Sequence, residues 1–248
     1  MKRLLYALRF LTILPLPYHQ GEDMKAVGRS VAVFPLAGLF IGAVLAGLSL
    51  AFRQVFSPGT SGILILVFWV ILTGGLHLDG LSDLADGLGG GRTREDKLAI
   101  MKDSRVGAFG VLALVCVLLL KGRLLSDLVL IPAPGMVRVL LFVPTAARGI
   151  LAGVIFAFPN ARPGGMGSFF KENARKREAA AALLLAAAAA WLALGLAGIF
   201  LAAGAFLLCL AAGAVISRIL GGLTGDGYGA LCEGAELLLL LGAVGWGK

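Results

Sequence analysis

Charge is scarce in this chain: 15% of its 248 residues are Asp, Glu, Lys or Arg, against 59% that are hydrophobic. A soluble domain carries about 25% charged residues, so an ordinary soluble enzyme is excluded. Cysteine is equally sparse. Cys116, Cys209 and Cys232 lie in apolar segments without metal-like spacing; they read as plain buried hydrophobes and leave the redox compartment open. No cleavable signal peptide is apparent either. The first residues are apolar but carry Lys2, Arg3 and Arg9 and run into Pro15-Leu-Pro17 without a small-residue cleavage site, which suits an interfacial helix ended by the prolines. With no internal repeat and no linker, residues 1–248 read as one domain.

What the chain does have is long uncharged runs. Residues 31–52 carry no charge over 22 positions, 54–78 only His77, and 179–217 none over 39. The last run suffices for two crossings of about 20 residues each, with a turn near 195–198. The expected fold is all-α: a polytopic helical membrane protein of about seven transmembrane spans behind an N-terminal interfacial helix. The spans fall near 31–52, 60–78, 106–121, 136–158, 179–196, 199–217 and 231–247, the third and seventh being short enough to tilt or pack within the bundle.

Cations orient the bundle. With the N-terminus in the cytoplasm, Lys2, Arg3, Arg9, Lys25, Arg29, Arg92, Arg94, Lys97, Lys102, Arg105, Arg162, Lys171, Arg175, Lys176, Arg177 and Arg218 lie inside. Only Arg53, Lys121, Arg123 and Lys248 lie outside. That bias fits the positive-inside rule, and it makes the net charge of +8 a mark of topology rather than of nucleic-acid binding. The charge run 171–177 reads as contact with anionic lipid.

All the chemistry-bearing segments then share the cytoplasmic side. The first is His77-Leu-Asp-Gly-Leu-Ser-Asp-Leu-Ala-Asp-Gly87. On a helix, Asp79, Asp83 and Asp86 fall within an arc of roughly 60° and repel one another unless a cation sits among them. Such carboxylates suit Mg²⁺ held together with a substrate phosphate, and Gly80, Gly87 and Gly89 to Gly91 suggest close substrate approach. His77 faces away from the acids and is a ligand or base only if the helix breaks at Gly80. Next, Arg105 offers a planar fork for phosphate, and Gly107 and Gly110 would expose backbone amides to an anion at a helix start; a capping role for Asp103 competes. Arg148, deep in the fourth span, needs an aspartate, a phosphate or a structural ion pair as partner. Finally Asp226, Glu233 and Glu236 form a second acidic group, for metal or substrate binding or for pairing with Arg148 or Arg218.

These residues resemble the cobalamin 5′-phosphate synthase (adenosylcobinamide-GDP ribazoletransferase) family. The likeness rests on 77–87, on Ile100-Met-Lys-Asp-Ser-Arg-Val-Gly107, on Gly221-Gly-Leu-Thr-Gly-Asp226, and on Phe10-Leu-Thr-Ile-Leu-Pro-Leu-Pro17 and Phe34-Pro-Leu-Ala-Gly38. It implies an enzyme that joins adenosylcobinamide-GDP to α-ribazole or its 5′-phosphate with Mg²⁺ and releases GMP. It also implies an integral protein of the bacterial inner membrane whose partners are those substrates and the lipid bilayer; a homo-oligomer stays open. The candidate site is then Asp79, Asp83 and Asp86 for metal, Asp103, Arg105 and Asp226 for catalysis, and His77, Arg92, Arg148, Gly107, Gly110 and Glu233 for substrate. Asp83-Leu-Ala-Asp86-Gly87 also resembles the start of the CDP-alcohol phosphotransferase signature, but Arg92 follows Gly91 and Asp103 stands alone, so a phospholipid-making enzyme is the weaker alternative. A cation transporter, the alternative of another class, predicts acids near the bilayer midplane rather than gathered at one side.

Overall fold

A computed structural model describes residues 2–17 and 21–246. Among them the regular structure is helical, with one isolated parallel bridge between Asn160 and Leu223. The helices are α1 (Lys2–Leu11), α2 (Met24–Gly28), α3 (Phe34–Val55), α4 (Pro58–Thr73), α5 (Leu76–Gly90), α6 (Arg94–Ile100), α7 (Ala108–Val129), α8 (Ala133–Ala157), α9 (Met166–Asn173), α10 (Lys176–Leu220) and α11 (Gly225–Trp246), with a 3₁₀ turn (Arg29–Val33) before α3. Five helical stretches are long and apolar enough to cross a membrane, or six if α4 and α5 form one broken span. The chain is a polytopic all-α membrane protein.

α8 is the hub. It packs on α3, α10 and α11, and from Met136 to Ile155 nearly every side chain is buried. A helix apolar on all sides belongs in the middle of a bundle. α10, by contrast, has Leu184, Leu192, Phe200 and Leu207 exposed, the surface a lipid-facing helix presents. At 45 residues it spans about 68 Å if straight, roughly twice the hydrocarbon thickness. It is not straight. Gly195 takes φ 61° and ψ −140°, and both Leu183 and Phe206 come within 3.2 Å of where a Cβ on Gly153 of α8 would sit. Residues so far apart along a straight helix could not share one neighbour, so α10 folds back at the glycine where the sequence predicts a turn.

Several expected boundaries move. The second apolar run stops at Thr73, not 78: Gly74 and Gly75 both adopt positive φ, their N–H groups close onto the carbonyls of Ile71 and Val70, and the axis swings by 89° into α5. A pair of left-handed glycines ends a helix because it costs them no Cβ clash. The third span runs on to Val129, which draws Lys121 into the bundle rather than leaving it outside. α11 begins at Gly225, six residues before the expected 231. α1 ends at Leu11, where Thr12 turns its hydroxyl back onto the carbonyl of Leu8 at 2.6 Å, well before the prolines. Cys209 and Cys232 are buried as expected, but Cys116 is exposed, because α7 turns much of its apolar surface outward. Lys248 lies outside the described residues.

Candidate active site

α5 forms despite its glycines because its buried side, His77, Leu78, Gly80, Ser82, Leu84, Asp86 and Gly87, is packed against α7 and α11. Gly80 has a definite reason: a Cβ there would stand 2.9 Å from the backbone of Asp226. The close approach it allows is to α11 rather than to a substrate, as small residues permit between membrane helices. The helix runs unbroken through Gly80, so His77 is not turned toward the acid face. It is buried instead, its Nδ1 without a hydrogen-bond partner.

The three acids of α5 sit in different surroundings. Asp79 is exposed, Asp83 half-buried and Asp86 buried. Asp86 accepts hydrogen bonds from the N–H groups of Gly107 and Gly110, both at 2.8 Å. It therefore caps the start of α7 across the loop, where free amides and the helix dipole favour an anion. The sequence places an anion at those amides; the one found is the chain's own carboxylate. Neither glycine tolerates a side chain, since a Cβ would meet the Asp86 carboxylate at 2.3 Å in each case.

α11 delivers a fourth acid. The parallel bridge holds its leading loop, with Ala161 N–H donating to Leu223 O at 2.9 Å and Leu223 N–H to Pro159 O at 2.8 Å. Arg94 locks the same end of the bundle, donating to the carbonyls of Leu220 and Ala161 at 2.7 Å each. Asp226 is thereby set beside Asp83. The charges of Asp79, Asp226 and Asp86 all act on Asp83, with Arg162 the opposing cation. Arg162 lies 3.5 Å from Asp226, whose Oδ2 is buried and accepts no hydrogen bond. That oxygen is the one facing the Arg162 guanidinium, and carboxylates that repel one another are the donor chemistry of a hard divalent cation. Among the described residues, however, no three acid, histidine or cysteine side chains converge closely enough to ligate one.

Two chambers meet at Asp226. One, of about 140 Å³, is bounded by α1, α5, α8, α9 and α11 and is lined by His77, Asp79 and Asp226 together with Phe10, Leu151, Ile155, Phe170 and Tyr228. The other, of about 130 Å³, is polar, with Asn160, Arg162, Ser168 and Thr224 in its lining. Asp103 and Arg105 stand apart beside Asp86 and Gly107, in a depression of about 290 Å³. They pair with each other: Arg105 donates from Nε at 3.0 Å and from Nη2 at 2.5 Å, and from its backbone N–H at 3.0 Å. Those bonds hold the Asp103 carboxyl well below the usual carboxylate range, at about 2. Arg92 is exposed between α5 and α6, outside both chambers.

Arg148 and Glu233 are drawn into a different unit. Lys121 of α7 bonds Glu233 at 2.6 Å and also Glu236, and Arg148 of α8 bonds Glu236. Lys121 also lies over the Trp69 ring, 4.7 Å from its centroid. Two cations and two anions, all buried, neutralise one another inside the bundle. This is the structural ion pair for Arg148, with α11 supplying the partner. Sequence reading assigned Arg162 to topology alone and did not single out Asn160, Ser168 or Tyr228. The signal was there in Arg162, bracketed by Pro159 and Pro163-Gly-Gly165, because a cation in a rigid, glycine-bearing loop is positioned rather than merely solvated.

Fold and site together describe a polytopic helical membrane protein that gathers carboxylates, an arginine and two small chambers at one end of the bundle. The chain belongs to the Cobalamin-5-phosphate synthase family, whose description it matches over residues 3–244. It is 41% identical over 246 residues to the adenosylcobinamide-GDP ribazoletransferase of Desulfitobacterium hafniense (strain Y51), covering 98% of this chain and 96% of that one. It is 39% identical over 234 residues to the enzyme of the same name from Roseiflexus sp. (strain RS-1), covering 94% and 86%. No solved structure matches it.

Proposed function

We propose that this chain is an adenosylcobinamide-GDP ribazoletransferase, joining adenosylcobinamide-GDP to α-ribazole or α-ribazole 5′-phosphate with release of GMP. The carrying observation is near-full-length similarity to relatives of that name. A ribose hydroxyl oxygen forms a bond to the phosphorus on the cobinamide side of the diphosphate, the bond from that phosphorus to the GMP oxygen breaks, and the hydroxyl proton passes to a carboxylate. Asp226, which stands in the lining of both chambers, is the acceptor. Asp103 is the poorer base, since a carboxyl at about 2 holds a proton only weakly at neutral pH.

Asp79 and Asp83 would hold Mg²⁺, with Asp86 behind them fixing the start of α7. The chemistry the ion supplies is neutralisation of phosphoryl charge. Arg162, beside Asp226, is placed to bind a non-bridging phosphoryl oxygen, and its planar fork fits that task. The site faces the cytoplasm of the bacterial inner membrane, in keeping with the cation distribution. A cysteine at the exposed position Ser104 should be shielded from impermeant thiol reagents in intact cells, and outside-only labelling would reverse the orientation. The reaction itself is tested by GMP release from purified protein given adenosylcobinamide-GDP and α-ribazole 5′-phosphate. GMP is expected with Mg²⁺ and not with EDTA; no GMP under either condition refutes the assignment.

A further inference from the structure

The two chambers that meet at Asp226 differ in chemistry, and the difference sorts the substrate's parts. Resting on the transferase reading above, we propose that the apolar chamber binds the flat benzimidazole base of the ribazole and that Phe10 and Phe170 set its specificity. Its lining is mostly apolar and aromatic, with Phe10, Leu151, Ile155, Phe170 and Tyr228 in it, a surface that suits a flat aromatic ring. Tyr228, which lines the chamber with His77, Asp79 and Asp226, has its hydroxyl turned to the Ile155 carbonyl at 3.5 Å and to Asn160 Oδ1 at 3.4 Å. A dimethylated benzimidazole has few polar atoms and a broad apolar face, which suits the space.

The wall is also rigid. Phe10 and Phe170 stand 5.1 Å apart between centroids, and each contacts the buried Phe34, at 5.8 and 5.3 Å. The stacked, tilted and edge contacts together fix ring orientation. Gly167 lies so close to Tyr228 that a Cβ would come within 2.3 Å of its ring. A base held there keeps its ribose near Asp79 and Asp226, where the attacking hydroxyl is needed, and leaves the phosphates to the Arg162 side. α1, expected from sequence only as an interfacial helix, becomes part of the binding site through Phe10.

The test is a pair of apparent KM values on protein in lipid nanodiscs. Phe10→Ala and Ile155→Ala should raise the KM for α-ribazole 5′-phosphate about tenfold, equivalent to about 1.4 kcal/mol. The KM for adenosylcobinamide-GDP should stay within about twofold. Benzimidazole riboside phosphate, lacking the two methyl groups, should compete less well than the ribazole on the unaltered protein, and the gap should narrow in the variants. An equal rise in both KM values, or a rise confined to adenosylcobinamide-GDP, overturns the assignment. If Phe10→Ala fails to fold, Phe170→Leu and Ile155→Ala carry the same readout and decide it. Absence of GMP release from the unaltered protein would instead refute the transferase reading, a distinguishable result.

Discussion

Asp83 and Asp86 are three residues apart on one helix, yet the structure separates what each does. Replacing either by Asn keeps size and removes charge. At Asp86 the loss is structural as well as chemical. Its carboxylate accepts two backbone N–H groups at 2.8 Å, whereas an amide can accept through its oxygen alone and turns its own N–H₂ toward the second donor. One hydrogen bond to a charged group contributes about 1.5–3 kcal/mol, and the lost anion at the helix start adds about 0.3–1 kcal/mol. A destabilisation of about 2–4 kcal/mol should lower the unfolding temperature by roughly 4–16 °C for a chain of this size. At Asp83 the surroundings reverse the sign, because Asp79, Asp226 and Asp86 all repel its charge. Asp83→Asn should unfold at the same temperature or slightly higher. Both variants should lose turnover, Asp83→Asn by removing a proposed cation ligand and Asp86→Asn by releasing the start of α7. The assay is thermal unfolding in detergent beside GMP release. An Asp86→Asn protein as stable as the unaltered one would show that the capping contact does not carry the energy assigned to it, and an Asp83→Asn protein several degrees less stable would refute the repulsion assigned to Asp83.

Three further outcomes follow from the same geometry. Arg162→Lys should lower turnover by about 10²–10³, the usual effect of removing a transition-state donor, and by more than Arg105→Lys does; the reverse order in kcat would return the phosphate role to Arg105. Asp103→Asn should leave the pH profile of turnover unchanged between pH 5 and 9: a carboxyl lowered to about 2 contributes its pairing above its unfolded value, and loses it only as pH falls toward about 2. A vanished acidic limb in that variant would make Asp103 the base after all. Lys121→Met leaves Arg148 bonded to Glu236 and takes from Glu233 its bonded cation; it should cost about 3–5 kcal/mol, seen as poor yield of folded protein. Adding Glu233→Gln should recover most of it, and failure to recover would mean the cost lies in lost packing at Trp69.

The helical membrane class was legible because it depends on composition and run length, which the bilayer itself dictates. The reversal of α10 was legible for the same reason: 39 uncharged residues are too many for one crossing, and glycines stand where a turn is needed. The bend after Thr73 was harder. Gly74-Gly75 interrupts an apolar run that hydropathy reads as continuous, and only their left-handed torsions reveal that α5 leaves the axis of α4. The acid face of α5 was visible as a 3.6-residue periodicity, but its division of labour was not. Nothing in the spacing distinguishes a carboxylate that meets solvent from one that meets the amides of a loop 21 residues on, as Asp86 does at Gly107.

The buried quartet makes the same point from the opposite side. Lys121 looked like an outside charge because it ends an apolar stretch, and Arg148 and Glu233 looked like substrate ligands because isolated charges within a membrane usually serve function. Pairing of Arg148 with the acids of α11 is one of the readings the sequence leaves open, but the part of Lys121 is not visible there because the pairing is long-range: Lys121 and Glu236 are 115 residues apart in sequence. Once paired, the four charges cancel, so the quartet fixes the register of α7, α8 and α11 rather than drawing an anion to the bundle. The electrostatic need that remains lies at the other acidic group, where the three carboxylates of Asp79, Asp83 and Asp226 face Arg162 as the opposing cation. A phosphate brought there with a divalent ion would meet the charge the protein has left uncompensated, and for that reason the chemistry belongs at the junction of α5 and α11 and not in the bundle interior.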